Sequence, residues 1–220
     1  MKRLSSVLSL TLALAGCVGA PEPRRQPVRQ STAIFSPSPQ ARQCLAGLGV
    51  TRASFTPLPD QYFGAGCSTL NSVRLSSLQG DSAQFALSNI GPVACPLAQT
   101  FAAWARFGVD RAARQILGSP LVRIETMGSY NCRNVAGSGR RSAHARAEAI
   151  DVSAFILADG RRISVQDDWS EGSGGEREFL QIVHASACKR FGTVLGPGYN
   201  AAHRDHFHVE LGGPGRGYCR

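Results

Sequence analysis

The chain has 220 residues, with 24 Lys and Arg against 15 Asp and Glu, which gives a formal net charge of +9 at pH 7. Its seven cysteines include no CxxC pair, which argues against a cysteine-ligated zinc site. Because the N-terminal residues predict export, the basic surface fits anionic envelope polymers and lipid head groups, and we expect no nucleic-acid partner. A generally solvated basic surface without a specific partner is the alternative.

The N-terminus has the pattern of an export signal. Lys2 and Arg3 precede the apolar run Leu4–Leu14, which is too short to span a bilayer. The sequence Leu-Ala-Gly that ends at Gly16 is followed by Cys17 and resembles the bacterial lipobox, in which the cysteine is lipidated and becomes the mature N-terminus. We predict a signal peptide over residues 1–16, lipidation at Cys17, and a periplasmic protein anchored in the outer membrane of a Gram-negative bacterium. An ordinary cleaved signal peptide is the alternative.

Two regions follow the signal. Residues 17–40 are rich in Pro and Arg and predict an extended tether that cannot bury a core. Residues 41–220 suit one domain. If Cys17 carries lipid, an even set of six cysteines remains, which predicts three disulfides among 15 possible pairings. These are Cys44, Cys67, Cys95, Cys132, Cys188 and Cys219.

The sequence pattern of this domain predicts an α+β fold. We expect short strands and loops over residues 41–90, then a helix from Pro96 to Leu117, since apolar residues recur there at helical spacing and Gly118 follows. Further elements, in chain order, are a strand Leu121–Thr126, a Gly- and Arg-rich loop Gly137–Arg141, a strand Ala149–Leu157, a hairpin at Asp159-Gly160 returning through Arg161–Val165, a helix Glu176–Phe191 and a last strand His206–Leu211.

Histidines near two of these strands carry the candidate chemistry. In the last strand, His206 and His208 lie on one face because side chains alternate. His144 precedes the strand that contains Asp151. Two imidazoles and one carboxylate would leave a fourth tetrahedral position for water, which is the pattern of a catalytic zinc site. His184 lies apart from these residues, in the predicted helix Glu176–Phe191, and is expected to be a packing residue.

The segment from Ser142 to Asp151 resembles the SxHxxGxAxD motif of the LAS metallopeptidases. That group includes D-alanyl-D-alanine carboxypeptidases, the dipeptidases of vancomycin resistance and the penicillin-insensitive murein endopeptidase. Its second motif ends in HxH, which His206 and His208 match. Over about residues 41–220 the chain also resembles the bacterial extensin-like C-terminal domain proteins. The segments that carry this likeness are Gly128–Arg133, Asp151–Phe155, Val194–Asn200 and His203–His208.

The resemblance implies a disulfide-stapled LAS/hedgehog-like metallopeptidase fold, with a small antiparallel sheet flanked by helices. It implies Zn²⁺ bound by His144, Asp151 and His208, and makes His206 the leading candidate for the general base. His203 is a candidate for proton shuttling. Asp205, at the position where carboxypeptidase relatives have Glu, is an alternative base, and His203 is another.

Two more positions are suggested by the same motifs. Arg133 follows a Gly-Ser-Tyr turn, as an Arg follows a similar turn in LAS relatives, and is the candidate for binding substrate; a surface arginine is the alternative. Ala147 stands where the family usually has Gly, and would be strained if that position needs a positive φ.

The function expected on these grounds is that of a zinc peptidase that cuts amide bonds in peptidoglycan. The alternative is a non-catalytic wall-binding or scaffolding lipoprotein that keeps the fold and the metal site. A third hypothesis is zinc storage or sensing. The sequence leaves open the scissile bond, the oligomeric state and which membrane holds the lipid. Protein or small dipeptide substrates are alternatives to peptidoglycan.

Overall fold

The computed structural model describes residues 37–212 and 217–220. The predicted signal peptide (residues 1–16), the lipidation site Cys17 and almost all of the predicted tether lie outside the described residues. Within the described ranges, no helix combines the length and the apolar character that crossing a membrane requires.

The main feature is a ten-stranded sheet. The strands of the described chain are β1 (Ser54–Pro57), β2 (Gln61–Gly64), β3 (Cys67–Thr69), β4 (Ser72–Gln79), β5 (Gln84–Ser88), β6 (Pro92–Ala94), β7 (Leu121–Gly128), β8 (Ala149–Leu157), β9 (Arg162–Ser164), β10 (Thr193–Leu195), β11 (Phe207–Glu210) and β12 (Tyr218–Cys219). The sheet runs in the order β1-β4-β5-β7-β8-β11-β10-β12, with β6 beside β4 and β9 beside β8. A separate hairpin pairs β2 with β3.

The expected small antiparallel sheet is therefore wrong in size and in type. The pairs β5–β7 and β10–β12 are parallel, so the sheet is mixed. The helical region between β6 and β7 allows the parallel pair β5–β7, because parallel strands need a long crossover. The predicted strands at Leu121–Thr126, Ala149–Leu157 and His206–Leu211 are confirmed as β7, β8 and β11.

The helices are α1 (Pro39–Val50), α2 (Cys95–Trp104), α3 (Arg111–Leu117), α4 (Val165–Asp168) and α5 (Gly174–Cys188), with a π-helical segment Ala105–Asp110 that joins α2 to α3. This continuous run confirms the helix predicted from Pro96 to Leu117, and Gly118 ends it with a φ of 69°. The apolar face of α5 is buried as predicted.

Helix α1 corrects the expectation of strands and loops after residue 41. Ser38 caps it by accepting a hydrogen bond from the backbone of Ala41, and Pro39 occupies its first turn. Only Ala41 and Leu48 are buried in it, so the apolar pattern is too sparse to mark a helix in the sequence. Helix α1 begins at Pro39, two residues before the predicted start of the domain.

Three disulfides form within the described residues, which confirms the expected number. Their pairs are Cys44–Cys95, Cys67–Cys132 and Cys188–Cys219. The first joins α1 to α2, the second joins β3 to the loop after β7, and the third joins α5 to β12. The third bond thereby fastens a helix to the edge strand of the sheet.

Candidate metal centre

The register of two central strands brings two of the predicted ligands together. In the antiparallel pair of β8 and β11, His208 lies directly opposite Asp151. Directly opposite residues project to the same face of a sheet. Their neighbours Val152 and Phe207 project to the other face and are fully buried in the core. Strand alternation therefore accounts for both the core and the site.

His144 reaches the same place from a short 3₁₀ helix, Ala143–Arg146. The hydroxyl of Ser142 accepts a hydrogen bond from the backbone N–H of His144 at 3.3 Å, so Ser142 supports the loop as its motif position implies. The carbonyl of His144 accepts a hydrogen bond from the backbone of Asn131. His144 is buried, with 2% exposure.

The three side chains converge on one point. Nε2 of His144 lies 3.2 Å from Nδ1 of His208 and 3.1 Å from Oδ2 of Asp151. Nδ1 of His208 lies 2.9 Å from Oδ1 of Asp151. A tetrahedral ion with bonds of about 2.0–2.1 Å would set its ligand atoms roughly 3.3 Å apart. The separations within this cluster are close to that value.

The outer nitrogens of both imidazoles face acceptors. Nδ1 of His144 lies 3.1 Å from the carbonyl oxygen of Ser129, and Nε2 of His208 lies 3.4 Å from Oε2 of Glu210. A carbonyl and a carboxylate only accept, so a proton on each outer nitrogen leaves the inner nitrogen of a neutral imidazole as a lone pair. In that form three lone-pair atoms face one another and need a cation between them.

In the absence of metal, a proton meets that need. Burial disfavours a charge on His208, but its contacts with Asp151 and Glu210 outweigh burial and raise the pKa of His208 to about 9. Burial alone would raise the pKa of Asp151, yet its close contacts with His144 and His208 hold that pKa well below the usual range. Burial would also raise the pKa of Glu210, but contact with His208 and the charge of Arg140 contribute to lowering it.

His206 lies beside the cluster without belonging to it. Its Nε2 is 3.6 Å from Oδ1 of Asp151, and its Nδ1 is 2.8 Å from Oδ1 of Asp205. The Asp205 carboxylate therefore fixes the proton on Nδ1 and leaves Nε2 of a neutral His206 with a free lone pair towards the site. Asp205, one of the alternative bases, is placed to orient His206.

His203 is the outermost histidine of the group. Its ring centroid is 5.2 Å from that of His206 and 5.9 Å from that of His208. Its Nδ1 lies 2.8 Å from Oδ1 of Asn200. Burial, together with positive charge on His206 and His208, lowers the pKa of His203 to about 4. His203 is thus uncharged at neutral pH.

A cleft of about 610 Å³ opens onto these histidines. His203, His206 and His208 line it together with Arg133, so the predicted substrate-binding residue lies in the same cleft as the predicted catalytic ones. Arg133 is exposed. Further basic residues, Arg140, Arg141 and Arg146, and the aromatic residues Tyr199 and Tyr218 also line the cleft.

The backbone after the first ligand is strained as the motif comparison suggested. Ala147 has a φ of 56° and a ψ of 26°, which is the left-handed region that Gly adopts freely. Its N–H donates to the carbonyl of His144, and its own carbonyl accepts from the backbone of Ala94. Neighbouring backbone therefore holds the turn in place with Ala instead of Gly.

His184 packs outside the cleft, as predicted. Its ring contacts those of Trp169 and Phe207, and its Nε2 lies 3.2 Å from the carbonyl oxygen of Arg220. Cys188 and Cys219 are close enough to form a ligand group with it. Because those two cysteines form a disulfide, they offer no thiolate to a metal.

The supporting roles of three residues were not predicted from the sequence. Glu210 follows His208 at the spacing that puts both on one strand face, so alternation could have indicated its role. Asp205 was considered only as a base, although its adjacency to His206 is visible in the sequence. Ser129 acts through its main-chain carbonyl, for which a sequence carries no signal.

Comparisons with known proteins give one result for the whole domain. Neither a search of curated proteins nor a search of solved structures found a match. The LAS/hedgehog-like fold thus stays a prediction that rests on the two motifs. A family model described as extensin-like protein C-terminus matches residues 42–220. The chain therefore belongs to the extensin-like protein C-terminus family.

Proposed function

We propose that this chain is a zinc-dependent peptidase of the bacterial cell envelope that hydrolyses amide bonds in peptidoglycan peptides or cross-links. One observation carries the proposal. The inner atoms of His144, Asp151 and His208 lie 2.9–3.2 Å from one another, and Nε2 of His206 lies 3.6 Å from Oδ1 of Asp151. A ligand group and a candidate base within one cleft are the minimum that metal-assisted hydrolysis requires.

The donor set favours zinc. Two imidazole nitrogens and one carboxylate oxygen suit that ion, and three protein ligands are typical of catalytic sites. When bound, zinc supplies a Lewis acid that polarises a carbonyl oxygen and lowers the pKa of water at its open position. Ser129 and Glu210 hold the two imidazoles in the tautomers that leave their inner nitrogens free to bind an ion.

His206 is assigned the role of general base. Its Nε2 can accept a proton because Asp205 occupies Nδ1 at 2.8 Å. Asp205 also stabilises the imidazolium that results from the transfer. His203 is uncharged at neutral pH and lies beside His206, so it is placed to pass the proton outwards to the cleft.

The substrate class follows from the motifs and the charge. The LAS resemblance implies peptidoglycan peptides, whose free carboxylates suit a cleft lined by several arginines. The predicted lipid anchor at Cys17, in an outer-membrane lipoprotein of the periplasm, would keep the domain near the wall. The membership of the extensin-like family does not itself name an activity.

A second candidate is a wall-binding protein without turnover. The arginine-lined cleft favours it, because such a surface can hold an anionic polymer whether or not a bond is cut. The orientation of His206 by Asp205 favours the peptidase, since mere binding gives no reason to present a free imidazole nitrogen to the cluster.

The test measures zinc content and digestion of purified peptidoglycan together. Wild type should bind one zinc per chain and release new muropeptides, whereas His206→Ala should keep zinc and release none. His184→Ala, which removes a histidine outside the cleft, is the matched control and should stay active. If wild type and the control both bind zinc but release no muropeptide, the peptidase proposal is contradicted and the wall-binding function remains.

A further inference from the structure

A short hairpin forms one side of the cleft. Asn134 and Arg141 pair as an antiparallel bridge. On either side of that bridge, the N–H of Ser142 donates to the carbonyl of Arg133, and the N–H of Val135 donates to the carbonyl of Arg140. Arg133 is therefore opposite Ser142, and Val135 is opposite Arg140. This hairpin, residues 133–142, leads directly into the 3₁₀ helix that carries His144.

The register sorts the hairpin's arginines onto two faces. Because side chains alternate along each strand, Asn134 and Arg141 share one face, and Arg133 and Arg140 share the other. The first pair is bonded to each other, since Nη1 of Arg141 donates to Oδ1 of Asn134 at 2.8 Å. Nε of Arg141 also donates to the carbonyl of Ala65. Arg141 is thus a structural residue.

The other two arginines differ in that they have no such partners. Within residues 37–212 and 217–220, neither Arg133 nor Arg140 forms a side-chain hydrogen bond or an ion pair, and both are exposed in the cleft. By contrast, Arg146 in the same lining is neutralised by Glu148 at 2.7 Å. The cleft therefore holds two guanidinium groups whose fork of donors is free.

The register sets the spacing of the side-chain origins of Arg133 and Arg140. Arg133 and Arg140 occupy diagonal positions across the hairpin, which places their side-chain origins roughly 7–8 Å apart. The charge of Arg140 acts on Glu210 without a hydrogen bond between them. Two like charges on one face repel each other, and an anion between or beside them lowers that cost further. Each fork matches the geometry of one carboxylate.

We propose that Arg133 and Arg140 form a subsite for two separate carboxylates of one acidic peptide, beside the metal centre. The inference rests on the proposed function and names the substrate class for it: a peptide that carries a free side-chain carboxylate in addition to its terminal one. Arg140 is thereby a specificity-determining residue that no motif indicated.

The test measures binding without turnover, on the full-length protein with its metal removed. The probes are acetyl-Ala-Glu-Ala, the same peptide with Gln for Glu, the same peptide with a C-terminal amide, and the peptide with both changes. Affinities are taken from calorimetry or from chemical-shift titration. Loss of either carboxylate should weaken binding about tenfold, as expected for one charge-assisted hydrogen-bonded contact.

Variants assign each carboxylate to an arginine. Arg133→Ala and Arg140→Ala should each weaken the binding of acetyl-Ala-Glu-Ala about tenfold. The affinity of each variant should no longer change when one particular carboxylate of the peptide is removed. Arg74→Ala is the matched control, because Arg74 is an exposed arginine on β4, outside the cleft lining, and its removal changes net charge equally. Thermal melting of each variant checks that the fold is intact.

The outcomes separate this inference from the proposed function. Equal binding of all four peptides, no binding of any, or an equal loss in Arg74→Ala would overturn the two-carboxylate subsite, even if zinc-dependent release of muropeptides is observed. If binding depends on both carboxylates and is weakened in the two cleft variants, the subsite is supported even if the protein hydrolyses no peptidoglycan.

Discussion

The carboxylate of Asp205 lies 2.8 Å from Nδ1 of His206, whose other nitrogen lies 3.6 Å from Asp151. We expect Asp205→Asn to lower peptidoglycan hydrolysis about 10- to 100-fold while zinc content is unchanged, because outer partners of functional histidines contribute effects of that size. The amide of Asn can donate to Nδ1, which would move the proton to Nε2 and remove the base.

Zinc analysis and muropeptide release, measured on the same samples, check this prediction. Asp167→Asn is the control, since Asp167 is exposed on α4 and distant in sequence from both motifs. Full activity in Asp205→Asn would show that His206 needs no orientation by its neighbour. A parallel loss of zinc would place Asp205 among the residues that build the metal centre.

Metal removal should lower thermal stability. The cluster of His144, Asp151 and His208 exists in the folded chain, and an ion at a hundredfold excess over its Kd adds about 2.7 kcal/mol to the free energy of unfolding. We expect a chelator to lower the Tm of wild type and zinc to restore it. His144→Ala should melt at the same temperature with or without zinc, and a zinc response equal to that of wild type would contradict the assignment.

Zinc affinity should depend on pH through His208. Its pKa is raised from 6.5 to about 9, so the metal-free protein carries a proton there at neutral pH that zinc must displace. Apparent affinity should rise about tenfold per pH unit and level off near pH 9. Calorimetry in buffers of different ionisation enthalpy should record about one proton released at neutral pH, and a buffer-independent enthalpy would contradict the proton count.

The same proton affects the stability of the metal-free fold. Because folding raises the pKa of His208, its charged contact with Asp151 stabilises the protein fully below about pH 6.5, the unfolded value. That contribution is lost as the pH rises through about 9. Metal-free wild type should therefore melt at a lower temperature above pH 9 than at neutral pH. The same pair of measurements on His208→Gln gives the pH effect of all other groups, and the fall in Tm should be smaller in that variant.

Removing the disulfide between Cys67 and Cys132 should impair the cleft as well as stability. It spans 65 residues, and the disulfide between Cys44 and Cys95 spans 51, so loop entropy assigns each roughly 4 kcal/mol at most. Only the first bond holds the residue before Arg133. Replacing either pair by Ala should lower the Tm similarly, whereas peptide binding should weaken in the Cys67 and Cys132 variant alone.

Local patterns in the sequence predicted the elements that carry the ligands. Alternation of apolar and polar residues marks β11, and a run of apolar, β-prone residues around Asp151 marks β8. Within each strand the ligand lies on the face opposite to that of its apolar neighbour, Val152 or Phe207. Helix α5 shows its buried stripe in the same way. Where burial is sparse, as in α1, the pattern is too weak to read.

What the sequence could not supply are contacts between distant segments. The pairing of Asp151 with His208 depends on strand register across 57 residues, and the bond from His144 to the carbonyl of Ser129 depends on backbone geometry. The pairing of the cysteines likewise depends on contacts between segments that are distant in the sequence. The parallel strand pairs escaped prediction because strand order is a property of the whole chain.

The left-handed turn at Ala147 gives a last prediction. Its φ of 56° strains any residue with a Cβ, yet its methyl group is fully buried. In Ala147→Gly, relief of strain offsets the lost burial and the greater freedom of the unfolded chain, so the free energy of unfolding should change by less than about 1 kcal/mol. Ala147→Val should destabilise by about 2–3 kcal/mol, because β-branched residues tolerate this region poorly.

The effect should extend to the metal centre, since Ala147 is bonded through its N–H to the carbonyl of His144. We expect the Val variant to bind zinc more weakly and the Gly variant to bind it as wild type does. Denaturant unfolding and zinc titration on both variants provide the measurement. Ala154→Val, on strand β8 and equally buried but on the face of Val152 instead of that of Asp151, controls for the added volume. If Ala147→Val bound zinc normally while unfolding at lower denaturant, the turn would stabilise the fold without positioning the first ligand.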